Sequence, residues 1–280
     1  MKPWRLIDTG PLPGPLNMGI DMAILQLNEN GQAPPTLRFY EWSPAAVSLG
    51  YFQKPTAVNV SKCHQLGIDV VRRSTGGRAV LHLNDLTYSI VAGTKDGMPF
   101  SVTAAYHLLS EGLLAGFRKL GFEPETGHEP VGVSEADICF MRFAAGDLLC
   151  KGKKFMGSAQ TWTGSSLLQH GSIIFESQIE TLAAIFSSTG DSSEDLCEKI
   201  NSRTTSLNDI LGRKVDPAEV KACLIEGMTH ALGVEFQVGE LSPEEWEMVR
   251  FIVMNQIITL RSEVRNVQCI HPVPNTVFKV

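Results

Sequence analysis

The chain has no Cys-x-x-Cys pair, no excess of positive charge, and no apolar run approaching the roughly 20 residues of a membrane helix. Each absence removes a class of protein. Six cysteines (Cys63, Cys139, Cys150, Cys197, Cys223, Cys269) spread over 280 residues fit neither a disulfide framework nor a zinc site. Most read as buried, inert thiols. A formal charge of −6, with 24 Lys and Arg against 30 Asp and Glu, offers nucleic acid no basic footprint. The opening Met1-Lys-Pro-Trp-Arg5 lacks the apolar segment of a secretion signal, and no repeat or low-complexity tract interrupts the chain. What is present is 43% hydrophobic content, ample for a buried core. The expectation is one soluble cytoplasmic protein with neither a nucleic-acid nor a membrane partner.

The most informative stretch runs from Arg72 to Ser89. Gly76 and Gly77 permit positive φ and carry no side chains, so a ligand can lie close to their peptide groups. Arg73 and Arg78 flank them with permanent charge suited to a carbonyl, carboxylate or phosphate. A hairpin turn with two solvated arginines is the competing reading of the same residues. Beyond the glycines, Ala79–His82 and Leu86–Val91 read as strands joined at Leu83-Asn-Asp85, which puts His82 at a strand end. Upstream, Leu37–Gln53 reads as two paired core strands around a Ser-Pro turn. Downstream, strands are expected over Asp147–Cys150, Lys154–Thr161 and Ser166–Glu176, and helices over Leu16–Asn28, Val102–Leu120 and Ile179–Ser187. From Ser206 onward the chain reads as helices, with Pro217 and Pro243 near helix starts, and 266–280 as a non-helical tail. A soft boundary near residue 203 therefore separates a sheet domain, 1–203, from a helical extension, 204–280.

Several segments together carry a family resemblance: Pro15–Asp21, Leu37–Gln53, the Arg-Arg-Ser-Thr-Gly-Gly-Arg run from Arg72 to His82 with Leu86-Thr-Tyr-Ser89, Lys151–Gln160, and Leu168–Ser172. They resemble the cysteine-dependent octanoyltransferases of the LipM type, within the superfamily of biotin and lipoate attachment catalytic domains. Arg78 stands where the ligases of that superfamily usually carry a third glycine, which sets the chain apart from them. The resemblance implies an α/β (α+β) fold, a mixed, largely antiparallel sheet flanked by helices. It implies transfer of octanoyl from octanoyl-acyl carrier protein to a lysine of a lipoyl-accepting domain such as the glycine-cleavage H protein, with no cofactor and no metal. Both partners are acidic small domains in that system, and Arg72, Arg73 and Lys151 are candidates to dock them. An ATP-dependent lipoate-protein ligase, an amidotransferase between lipoyl domains and a non-catalytic binder of lipoyl domains are the alternatives.

On this resemblance Cys139 is the nucleophile and Lys154 its activator. A free thiol ionises at about pH 8.5, so a nearby cation would raise the thiolate fraction at neutral pH. A buried structural thiol between Ile138 and Phe140 is the plainer reading of Cys139, and Cys150 is the rival nucleophile, although it reads as strand filling. Lys151 and Lys153 read as a solvated basic turn. Lys154 continues into an apparent core strand, where a lysine needs a partner or a lowered pKa. Gly157, Ser158 and Ala159 are small enough to admit an acyl chain or to offer backbone donors to a thioester oxyanion, and tight sheet packing explains them equally. Arg73, Thr75, Gly76, Gly77, Arg78, His82 and His170 complete the expected substrate-binding set, the two histidines as pocket lining and orientation. Val80, Leu81 and Tyr88 are compatible with an apolar channel or with ordinary core.

Overall fold

Apolar residues in Leu16–Leu27 recur at helical spacing behind a proline, while Leu86–Val91 is a run of apolar and small hydroxyl residues, and these two patterns become a helix laid against a strand buried on both faces. The structure, a computed structural model, describes residues 3–127, 146–186 and 193–263, so Cys139 and the 266–280 tail fall outside the described residues. In chain order the elements are β1 (Trp4–Leu12), α1 (Gly14–Glu29), β2 (Thr36–Trp42), β3 (Ala46–Leu49), α2 (Val60–Gln65), β4 (Asp69–Arg72), β5 (Val80–His82) and β6 (Asp85–Gly93). There follow α3 (Val102–Lys119), β7 (Glu125–Thr126), β8 (Leu148–Cys150), β9 (Lys153–Thr163), β10 (Ser166–Ile174), α4 (Ile179–Phe186), α5 (Ser193–Arg203), α6 (Leu207–Leu211), α7 (Pro217–Leu232), β11 (Phe236–Val238) and α8 (Pro243–Glu263).

Among the described residues the strands form two sheets. The larger has the order β11-β1-β2-β6-β10-β9-β8-β7 and is antiparallel except for the β11–β1 and β1–β2 pairs. One face carries Leu37, Tyr88, Ile90, Phe155 and Met156 against α3 and α7. The other carries Val91 and Leu168 against α1 and α8. The smaller sheet, β4-β3-β5, packs its apolar side on α2, α4 and α5. This is the mixed, largely antiparallel α/β architecture expected, and no helix among the described residues is long and apolar enough to cross a membrane.

One expectation about pairing changes. β2 and β3 do not pair with each other: β2 lies between β1 and β6 in the large sheet, while β3 is the centre of the small one. The peptide bond before Pro44 is cis, and the chain passes from one sheet to the other across that turn. β5 and β6 likewise fall in different sheets, with Asn84 at φ 53° in the two-residue link between them. The glycine stretch is no hairpin either, because β4 and β5 lie on opposite sides of β3. The expected all-helical run after Ser206 contains one short strand, β11, which extends the large sheet beside β1.

Candidate functional site

The site begins with an irregularity in β9. Leu148 and Leu149 are consecutive on β8 but face Met156 and Lys154, so Phe155 is an extra residue on β9. Such a bulge shifts the alternation of side chains by one position. Phe155 and Met156 both join the α3-side core, while Lys154 comes onto the face of Gly157. A Cβ built on Gly157 would stand 3.0 Å from Lys154 Cε and 3.1 Å from Nζ. Glycine is what leaves room for that lysine. Lys154 is fully buried and its Nζ meets Asp147 Oδ2 at 2.8 Å, both side chains being inaccessible. Asp147 is thus the partner that a core lysine requires.

Strand register sorts the neighbouring residues. Ser89, His170 and Ala159 stand in one row across β6, β10 and β9, and Thr87, Ser172 and Gly157 in another. Both rows lie on the α1 side, because Ser89 and His170 each bond Asp21 of α1. Tyr88, Gly171 and Ser158 form the row between them, on the α3 side. There the Ser158 and Tyr88 hydroxyls meet at 2.9 Å, and Gln169 Nε2 donates to Tyr88 Oη at 3.0 Å. Burial pushes the Tyr88 phenol up to about 12, against the opposing pull of those two bonds. Lys154, Gly157 and Ala159 are therefore brought together, whereas the Ser158 side chain and Tyr88 are turned away from them. The cause is the two-residue period of a strand.

The glycine turn is tied to the large sheet through buried polar relays that meet at Arg73. Its guanidinium is only 5% exposed and donates to the carbonyls of Ser48 (2.8 Å), Gly76 (2.8 Å) and Arg78 (2.7 Å). It also donates to the hydroxyls of Ser48 at 3.3 Å and Thr75 at 3.2 Å. Each hydroxyl then has its own hydrogen for an imidazole: Ser48 reaches His82 Nε2 at 2.8 Å and Thr75 reaches His170 Nε2 at 2.7 Å. Each ring turns its Nδ1 to a buried carboxylate, His82 to Asp85 at 2.8 Å and His170 to Asp21 at 3.3 Å. Donor and acceptor roles match along both chains when the rings are neutral and protonated at Nδ1. Trp42 stacks on His82 with centroids 3.9 Å apart and fixes its plane.

Arg73 is thus spent on its own loop and is withdrawn as a docking residue. Arg72 likewise turns Nη1 to the carbonyls of Gly50, Tyr51 and Gln53, at 3.0, 2.9 and 2.7 Å. Gly76 and Gly77 themselves are exposed, Gly77 at φ 93°, and Arg78 is half-buried beside them. Where residues 73–79 cross the end of β3, a Cβ on Gly50 would lie 2.0 Å from the Gly77 carbonyl oxygen, so only glycine fits there. Cys150 packs in the α3-side core, and burial raises its thiol pKa.

Asp21, Arg38, Ser48, Gly50, Asp85 and Asp147 were not among the residues expected from sequence. Arg38, fully buried, donates to Asp21 Oδ1 at 2.7 Å and to Asn17 Oδ1 at 2.6 Å, and Tyr40 donates to Asp21 Oδ2 at 2.8 Å. The signal was present in part: Asn17, Asp21 and Asn28 recur at helical spacing on the buried side of α1, and Arg38 interrupts an apolar strand.

Charge within this network responds to pH. Burial opposes ionisation of Asp21, but Arg38 and the His170 bond outweigh it and hold the carboxyl below its ordinary range. Burial lowers His170 below its ordinary 6.5 despite the opposing pull of Asp21. A histidine with a depressed folded-state pKa binds its proton more readily when unfolded, so its contribution is complete above 6.5 and is lost as pH falls below that value. The melting temperature should therefore fall between pH 7 and 5, and calorimetry on His170→Asn should show a shallower fall. Equal slopes in the two proteins would refute the assignment.

The chain matches the lipoyl protein ligase A/B catalytic domain family over residues 13–229. An octanoyltransferase LipM of Kyrpidia tusciae is 39% identical over 256 residues, spanning 88% of this chain and 93% of that protein. The octanoyltransferase LipM of Symbiobacterium thermophilum is 38% identical over 258 residues, spanning 89% and 94%. A lipoate-protein ligase A solved with ATP superposes with a TM-score of 0.77 over 93% of this chain and 98% of its own, at 24% identity, a likeness of fold. With a family match across well over half its length and relatives at this identity over most of both chains, the chain belongs to the lipoyl protein ligase A/B catalytic domain family, among the LipM-type octanoyltransferases.

Proposed function

We propose that this protein, in the cytoplasm, moves octanoyl from octanoyl-acyl carrier protein through a thioester on Cys139 to a lysine of a lipoyl-accepting domain such as the glycine-cleavage H protein. The observation that carries the reading is the buried Lys154–Asp147 pair at 2.8 Å beneath Gly157. It supplies a fixed cation beside a strip of sheet bare of side-chain bulk, on the face to which the glycine loop is tied through His170.

In the first step the Cys139 thiolate attacks the thioester carbonyl, the C–S bond to the carrier breaks, and the carrier thiolate takes up a proton. In the second step the acceptor amine attacks the enzyme thioester, an amide forms, and the Cys139 thiolate leaves while the amine's proton is lost. Thioester exchanged for thioester is nearly isoenergetic, so one site serves two protein partners in turn. Lys154 acts as the cation that favours thiolate, and its protons are available to the leaving sulfur. Arg73 shapes the loop, and the peptide groups of Gly76 and Gly77 face the thioester.

Wild-type protein should gain an octanoyl mass from octanoyl-acyl carrier protein alone, and should pass it to an acceptor domain with no ATP present. Product formed only from free octanoate and ATP would make it a ligase. Transfer only from an octanoylated lipoyl domain would make it an amidotransferase. Saturable binding without acyl product would make it a non-catalytic binder.

A further inference from the structure

Beside the glycine turn the chain holds two aromatic rings out in solvent. Tyr51 is 54% and Phe52 89% exposed, and their rings meet edge to face with centroids 4.8 Å apart. Scattered exposed apolar side chains are ordinary, but this pair sits on a backbone clamped from several directions. Tyr51 N–H donates to the Thr75 carbonyl at 2.9 Å, and Gln53 N–H to the Gly50 carbonyl at 3.0 Å. Arg72 Nη1 gathers the carbonyls of Gly50, Tyr51 and Gln53. Gly50 itself rests against the Gly77 carbonyl. A loop so held loses little conformational entropy when a partner binds it, and rigid aromatics are the usual anchors of protein interfaces.

The stretch of chain that carries the pair is predominantly basic. Among residues 50–78, Lys54, Lys62 and Arg78 stand against a single acid, Asp69, which is buried at 2% exposure, while Arg72 and Arg73 are held by carbonyls of their own loop. The chain as a whole carries −6, so this basic segment runs against the rest of the molecule. Lys54, exposed and two residues from Phe52, adds a cation at the tip.

We infer that Tyr51 and Phe52, with Lys54, form the docking contact for an acidic face of the acceptor domain, the protein whose lysine receives the acyl group. This inference rests on the proposed acyl transfer. Reach decides between the two partners. An acyl group delivered on a long prosthetic arm lets the donor's body stand away from the chemistry, whereas a lysine side chain is short and its domain must come up against the rim of the site. Tyr51 and Phe52 form that rim next to Gly76 and Gly77.

The test uses the full chain, a purified apo H protein as probe, and the variants Phe52→Ser and Lys54→Glu. Both side chains are exposed, so neither substitution disturbs the core. In calorimetric titration wild type should bind the probe, with affinity weakening as salt rises, and Phe52→Ser should bind at least about tenfold more weakly. Lys54→Glu should bind more weakly and lose part of the salt dependence. Loading from octanoyl-acyl carrier protein, followed by intact mass, should proceed in Phe52→Ser within about twofold of wild type, with the loss confined to KM for the acceptor. Unchanged acceptor affinity in Phe52→Ser, or a matching loss in donor loading, overturns the inference. Because the titration needs no acyl chemistry, a wild type that binds the probe through Phe52 yet never loads octanoyl would refute the transfer reading while sustaining the docking site.

Discussion

Lys154→Met is expected to lose about 3–5 kcal/mol of stability and about a thousandfold or more in octanoyl transfer. The stability loss follows from the pair's burial, since Lys154 and Asp147 meet at 2.8 Å with almost no solvent access. Removing one charge leaves the other without its ion partner in a medium that solvates it poorly. The double variant Lys154→Met with Asp147→Leu replaces both by apolar groups and should recover most of the stability, because a buried pair gains little over a well-packed apolar substitute. It should recover none of the activity. This divergence separates a lysine that works in the chemistry from one that merely fills the core. Denaturant unfolding and transfer rate, measured on the wild type and both variants, decide it, and a double variant within tenfold of wild-type rate would remove Lys154 from the mechanism.

The second large effect concerns the thiol. Cys139→Ala should show no octanoyl adduct and should lose transfer by about a thousandfold or more, because no other group takes over the covalent step. Cys150→Ala should keep the adduct and turn over within a few-fold of wild type. Cys150 lies in the core between the large sheet and α3, where burial raises its pKa and leaves little thiolate. Cys63 is fully buried in the small-sheet core. Removing the buried Cys150 sulfur in Cys150→Ala costs about 1 kcal/mol of packing. An adduct that survives Cys139→Ala and disappears in Cys150→Ala would reverse the two roles.

How far the sequence could be read depended on whether the signal was local. The helices over Leu16–Asn28 and Val102–Leu120 were visible because apolar residues recur at helical spacing, and they appear as α1 over Gly14–Glu29 and α3 over Val102–Lys119. Strands β9 and β10 were visible because small turn residues at Thr163-Gly164 separate them. Pairing was misread where two strands adjacent in sequence belong to different sheets, as with β2 and β3. A short link favours pairing in general, but nothing in the local pattern says which sheet has an open edge. The site was legible to a similar degree. Gly76, Gly77, His82, Lys154 and His170 were singled out from the chain alone, but Asp147, which pairs with Lys154, was not. A carboxylate at a strand start carries no mark of the lysine it will meet.

The sequence by itself determined the class of fold, the glycine turn with its arginines, the lysine forced into a core strand, and the membership of a family whose motifs it carries from residue 13 to 229. These are properties of spacing and residue type along a single segment. Tertiary structure decided the rest. The Phe155 bulge turned Lys154 onto the face of Gly157 and Ala159, and strand alternation sent the Ser158 side chain to the opposite face. Arg73, read from sequence as a group for the ligand, became the junction of two relays ending at Asp21 and Asp85. The physical reason is that a buried charge must find its partners wherever the fold brings them. Asp21 and His170 stand 149 residues apart in the chain, a separation that only the packing of α1 on β10 could close.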